Sequence, residues 1–190
     1  MDSTVGGILL IAALVGYAVF SVIHREKAGR KKAQSGEDKA RVRALLQKAL
    51  PEEGAFTPLY VHMSLGRHTV THYVYALAVQ PEKDRLWVVP VGREGELLYP
   101  GKPVLLPLEQ LGSVYFSLGV KEDVGNRLSS AEFYDTDRNR LLRLEVKDFE
   151  YREDRYHWLD VSQTDEASVY FRMMEKWAAQ KPLEPKKKKK

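Results

Sequence analysis

Hydrophobic periodicity changes twice along this chain, and each change restricts what the neighbouring segment can become. Val42, Leu45, Leu46, Ala49 and Leu50 recur at helical spacing, and Pro51 and Gly54 stop the run. From residue 56 to 161 apolar residues alternate instead, as Leu59, Val61 and Met63 do against Tyr60, His62 and Ser64. Ala167, Tyr170, Phe171, Met174, Trp177 and Ala178 then return to helical spacing. They follow Ser162-Gln163-Thr164-Asp165, which has capping-box spacing with Asp165 in place of the usual Glu. The pattern predicts a mainly β, α+β fold: a short amphipathic helix over 37–50, about seven antiparallel strands within 56–161, and a helix over 163–180. Leu65-Gly66-Arg67, Glu82-Lys83-Asp84, Gly92 to Gly95 and Pro100-Gly101 read as turns between strands. Pro90 lies inside the strand reading Leu86-Trp87-Val88-Val89-Pro90-Val91 and argues for an edge or a bulge there. Tyr73, Tyr75 and Trp87 read as core or barrel wall.

Ahead of this body, Val5 to Ile23 form an apolar run without a charge, long enough as a helix to span a hydrocarbon core of about 30 Å. Asp2 is the only charge before it, whereas Arg25, Lys27, Arg30, Lys31 and Lys32 follow it. The positive-inside rule then predicts a single-pass, uncleaved anchor in the cell membrane, with residues 1–4 outside and the rest cytoplasmic. Ala12 and Gly16 make one small-xxx-small pair through which two anchors could pack.

Charge is divided unevenly. The formal net of +4 hides a linker, 24–36, at +4 and a tail, 181–190, at +5. With Asp2 counted, residues 37–180 carry −4. A nucleic-acid-binding domain is expected to carry its positive charge on a folded face, so this distribution argues against that class. Arg25, Lys27, Arg30, Lys31 and Lys32, together with Lys186, Lys187, Lys188, Lys189 and Lys190, are instead the candidates for contact with anionic lipid at the inner leaflet. The tail after Pro182 and Pro185 equally reads as a disordered, solvated poly-Lys end. The chain has no cysteine, which removes disulfides, thiolate nucleophiles and Cys-ligated metals.

Chemistry-bearing motifs are sparse. His68 and His72, four apart, share a strand face, with His62 on the preceding strand; three imidazoles could hold zinc, but exposed histidines on a wetter face are the expectation, with no metal. Asp135, Asp137 and Asn139 match the first half of a calcium loop, but Arg140 and Val146 stand where the Gly and the bidentate Glu belong. An Asx-rich hairpin turn accounts for the same residues. No Gly-rich phosphate loop, G-x-S-x-G elbow or H-E-x-x-H is present, and nothing pairs a nucleophile with a base. No cofactor and no catalytic residue are expected.

The order of about seven antiparallel strands and one C-terminal helix resembles the pleckstrin-homology-like (PH/GRAM-like) superfold. The resemblance covers 57–180 and rests on that order and on three stretches: Leu86-Trp87-Val88-Val89-Pro90-Val91, Pro107 to Val114, and Met173-Met174-Glu175-Lys176-Trp177. It implies a barrel or sandwich closed by the C-terminal helix. It also implies a possible ligand loop at Arg67 and His68, where phosphoinositide-binding relatives carry a basic first hairpin; this loop has one firm positive charge. A PilZ-type cyclic-dinucleotide barrel fits less well, because Arg152 and Arg155 have the wrong spacing and the stretch from Asp160 lacks the Gly. The function expected is a membrane-anchored, non-enzymatic adaptor that binds another protein at the inner leaflet. The alternative is a lipid or small-ligand sensor using the barrel mouth and the polybasic flanks. Superfold alone does not choose between them.

Overall fold

The structure, a computed structural model, describes residues 34–66, 69–121, 126–150 and 158–183, apart from the side chains of 120 and 121. Helix α1 is described over 34–49. Ten strands follow: β1 (Thr57–Leu65), β2 (Thr71–Gln80), β3 (Arg85–Glu94), β4 (Leu97–Pro100), β5 (Val104–Pro107), β6 (Ser113–Lys121), β7 (Asn126–Tyr134), β8 (Arg140–Lys147), β9 (Phe149–Glu150) and β10 (Val161–Ser162). Helix α2 (Thr164–Gln180) closes the described chain.

The ten described strands pair with one another antiparallel, in three sheets. One is β1-β2-β3-β4 with β5 also on β3, one is β6-β7-β8, and β9 pairs with β10. Strands β4 and β5 follow one another along β3, against Val91–Glu94 and then Arg85–Val88, with a one-residue change of register between them.

Alternation along β1 to β3 sends side chains to two different cores. Leu59, Val61, Met63, Leu77, Val79, Leu86 and Val88 enter a cluster completed by Phe133, Leu144, Val146 and the α2 stripe of Ala167, Tyr170, Phe171, Met174 and Trp177. Tyr60, Val74, Ala76, Ala78 and Val89 face the other way and meet Val42, Leu45, Leu46 and Leu50 of α1. The first sheet is therefore covered on both faces, which is why so few polar residues interrupt β1 to β3.

Gln163 fastens the two larger sheets together. Its Oε1 accepts from Tyr60 N–H at 2.9 Å, and its Nε2 donates to the carbonyls of Tyr60 and Lys147, both at 2.8 Å. The buried amide thus pairs with the open edge of β1 as a strand would and reaches the end of β8. The capping box expected at Ser162 does not form: Gln163 holds the N-cap position and makes no side-chain cap. At the far end of α2, Asp84 accepts from Lys176 Nζ at 2.8 Å and Trp177 Nε1 at 3.1 Å. Those bonds, first that from Lys176, hold its carboxyl below the usual carboxylate range despite some burial.

Three expectations about the fold are corrected. Among the described residues the strands do not close into a PH-like barrel; ten described strands, rather than about seven, form three separate sheets. Alternation fixes which face is buried, but closure depends on edges meeting, and β1 meets β8 through side chains rather than a ladder. The expected transmembrane helix is not part of the described architecture: among the described residues no helix is long and apolar enough to cross a membrane. The apolar run 5–23 and the Ala12/Gly16 pair lie outside the described residues. The wet face expected for His62 is also corrected, since His62 is only 2 % exposed.

Candidate functional site

None of the residues singled out for lipid or ligand contact lies among the described residues: Arg25, Lys27, Arg30, Lys31 and Lys32 precede them, Lys186 to Lys190 follow them, and Arg67 and His68 fall between them. The ends of the β1–β2 turn are described. Gly66 has φ +131°, and a Cβ there would lie 1.9 Å from Thr69 O, so only glycine fits this turn.

The structure instead draws attention to the end of the first sheet near that turn. The β2–β3 ladder runs from Gln80↔Arg85 to Tyr75↔Pro90 and stops. Pro90 is the last β3 residue in that ladder, and its carbonyl turns to the other edge of the strand, where it accepts from Gly101 N–H at 2.7 Å. Beyond that point β2 pairs only with β1, and β3 only with β4. Two hairpins therefore part company at Pro90.

Along the core-facing side of the sheet, burial falls away at the same place. Leu77 is fully buried, and Tyr75 is half-buried. Tyr73, next on that face, is 38 % exposed; Tyr99 is 48 %, Val104 50 % and Leu97 68 % exposed. The Tyr73 and Tyr75 rings lie 6.4 Å apart and nearly parallel. Tyr99 lies across the strand from Gly92, and a Cβ at Gly92 would come within 2.2 Å of its ring. The bare glycine thus gives the ring its seat. Burial, and then the neighbouring Tyr73, hold the Tyr75 hydroxyl above the usual phenol range, so it remains a donor. Tyr73 and Tyr75 on β2, Leu97 and Tyr99 on β4 and Val104 on β5 thus keep the core-facing alternation but stay partly open, and exposed aromatic and aliphatic side chains of this kind mark binding surfaces. The sequence reading placed Tyr73 in the core and passed over Tyr99, Leu97 and Val104. Pro90 two residues before Gly92 was the available signal.

The opposite face at this end carries His62, Ser64 and His72. His62 Nε2 and His72 Nδ1 are 3.1 Å apart, with ring planes 5° apart and centroids 5.2 Å apart. Both nitrogens therefore lie between the two ring centres with their lone-pair directions opposed. This is a ring-to-ring hydrogen bond whose direction follows the tautomer, not a chelate. Ser64 Oγ also reaches His72 Nδ1 at 3.1 Å. Among the described residues no three His, Cys, Asp or Glu side chains are grouped to hold a metal; His68 lies outside them. At the second hairpin, the Asp135 carboxylate accepts from Asn139 N–H at 2.8 Å and from its side chain at 3.1 Å. Those two bonds keep its carboxyl below the usual range and close the turn locally.

Comparison with known proteins adds no family: no family model matches the chain, and no curated protein or solved structure matches it.

Proposed function

We propose that this chain is a non-enzymatic adaptor whose β-domain docks a partner protein on the Tyr73, Tyr75 and Tyr99 face. One observation carries this reading: an aromatic and aliphatic surface stays open at the end of a sheet face that is otherwise core. Tyrosine gives a large contact area for little lost side-chain freedom and keeps a hydroxyl for a partner. The element order supports a pleckstrin-homology-like relationship. Taken as one interrupted edge strand, β4 and β5 leave four strands, then three, then a C-terminal helix, beside the small β9–β10 pair. The basic flanks in the sequence suit work beside an anionic membrane surface, and that part of the proposal rests on sequence alone.

The test is crosslinking in intact cells followed by purification of the full-length chain beside Tyr73→Ala, Tyr99→Ala and Leu97→Asp. A protein captured by the parent and lost from all three variants supports docking at this face. Equal capture by all four overturns it. Variants that differ from the parent only in binding to anionic vesicles would favour the lipid-sensor alternative.

A further inference from the structure

The sheet edges of this domain are not equally protected. An open edge is a template for another strand, and proteins block it with proline, charge, shortness or a cover. Strands β4 and β5 are four residues each, are interrupted between them, and carry Pro100, Pro103 and Pro107 on or beside them. The edge of β1 is occupied at Tyr60 by Gln163. Strand β6 is different. It runs for nine residues, with neither proline nor charge from Ser113 to Gly119.

The direction of its free groups follows from one hydrogen bond. Val114 N–H turns away from β7 and donates to Lys181 O at 2.7 Å, where Pro182 makes an isolated parallel bridge. Strand alternation then points the N–H and C=O of Phe116 and Leu118 to the same open side, while Tyr115, Ser117 and Gly119 bond to β7. The chain's own tail thus takes one rung of this edge, and no described backbone group takes the next two. Helix α2 lies behind β6, where the Phe171 ring is 6.5 Å from Phe116. Tyr115 and Leu118 stay exposed.

We propose that two copies of the chain pair β6 to β6, antiparallel, about a two-fold axis at Ser117. The segment is self-complementary in that register. Phe116 of one copy pairs with Leu118 of the other, and the reverse, joining apolar side chains on the core-facing side and forming four backbone hydrogen bonds. On the outer side Tyr115 lies opposite Gly119 of the second copy. A Cβ at Gly119 would meet only Leu128 O, at 3.8 Å, so the space above that glycine is open to a ring. The Tyr99–Gly92 pair already shows this arrangement within one copy. Ser117 meets itself, and no charged side chain is brought opposite its copy between Tyr115 and Gly119. Because each surface meets its own copy, the contact is isologous and ends at a dimer.

The test uses the full-length chain, kept in mild detergent on account of the run 5–23, and starts from a sequence without cysteine. Ser117 sits in a non-hydrogen-bonded pair, where Cα atoms approach to about 4.5 Å, within disulfide reach. Ser117→Cys is expected to give a disulfide-linked dimer under mild oxidation, while Lys102→Cys, also exposed and lying between β4 and β5, does not. Light scattering is expected to give a mass of two chains for the parent at high concentration. Ser117→Glu, which sets like charges face to face, and Leu118→Pro, which removes an open-edge N–H without touching the β7 ladder, are expected to give one. A parent that stays single at every concentration, equal crosslinking by the two cysteines, or a dimer that survives both substitutions would overturn the pairing.

Discussion

The two ends of one sheet face behave differently. At the end near the β2–β3 turn, Leu77, Leu86 and Val88 lie under α2 and the second sheet and are buried. Toward the other end, Tyr73 on β2 and Tyr99 on β4 keep the same alternation and are open. The alternation does not change at Pro90; the cover does. Side chains of core type therefore become a surface without any change in local pattern, and a binding face can arise where a core stops short.

Substitutions can break or sharpen that contrast. The largest effect belongs at the closed end. Trp177 is fully buried, meets Phe133 edge-on at 6.4 Å and donates to Asp84. Trp177→Ala is expected to cost about 3–5 kcal/mol in urea unfolding, and a loss below 1 kcal/mol would mean that α2 is not the cover described. Next comes the fastening between sheets. Gln163→Ala leaves the Tyr60 N–H and carbonyl without their partner, and an unsatisfied buried group costs about 1–3 kcal/mol. Faster amide exchange at Tyr60 should accompany the loss; unchanged exchange there would deny the fastening its role.

A smaller, pH-dependent effect sits at Asp84. Its carboxyl is held below the usual carboxylate range, first by the Lys176 bond and then by Trp177, against burial. A depressed carboxylate contributes stability above its unfolded pKa and loses it as pH falls through the folded one. Thermal melts should therefore show the parent losing an advantage over Asp84→Asn below about pH 4. Asparagine tolerates the left-handed backbone at this position, φ +47°, so the comparison isolates the charge. A gap between the two proteins that stays constant from pH 7 to pH 2 would contradict the assignment. The smallest effect is expected at the open end, where Tyr99→Ala should change stability by no more than about 0.5 kcal/mol. A cost of several kcal/mol would show that Tyr99 is packed rather than presented.

Particular residues show what could be read from the sequence. The stripes Val42-Leu45-Leu46 and Ala167-Tyr170-Phe171-Met174-Trp177 announce faces that do lie in the two cores, because helical spacing reports burial directly. His62 misleads, since a polar residue between apolar ones reads as wet. Here the second face of the sheet is covered as well. Gln163 looks like part of a helix start, and nothing local reveals that its amide reaches Tyr60, 103 residues away. Tyr73 is misplaced because alternation tells which face a side chain takes but not how far the cover extends. The number of strands in a sheet and the failure of the sheets to close are likewise long-range matters of edge meeting edge. The candidate lipid and ligand residues, from Arg25 to Lys32, Arg67 with His68, and Lys186 to Lys190, lie outside the described residues, so their roles stay sequence-based proposals.

The most direct test of the central claim is site-specific photocrosslinking in living cells. A photoreactive residue is placed at Leu97 or Tyr99, with Leu141, exposed at the start of β8 in the other large sheet, as the control. The account expects one discrete adduct with another protein from positions 97 and 99 and none from 141. No adduct from 97 and 99, or the same adduct from 141, would contradict it.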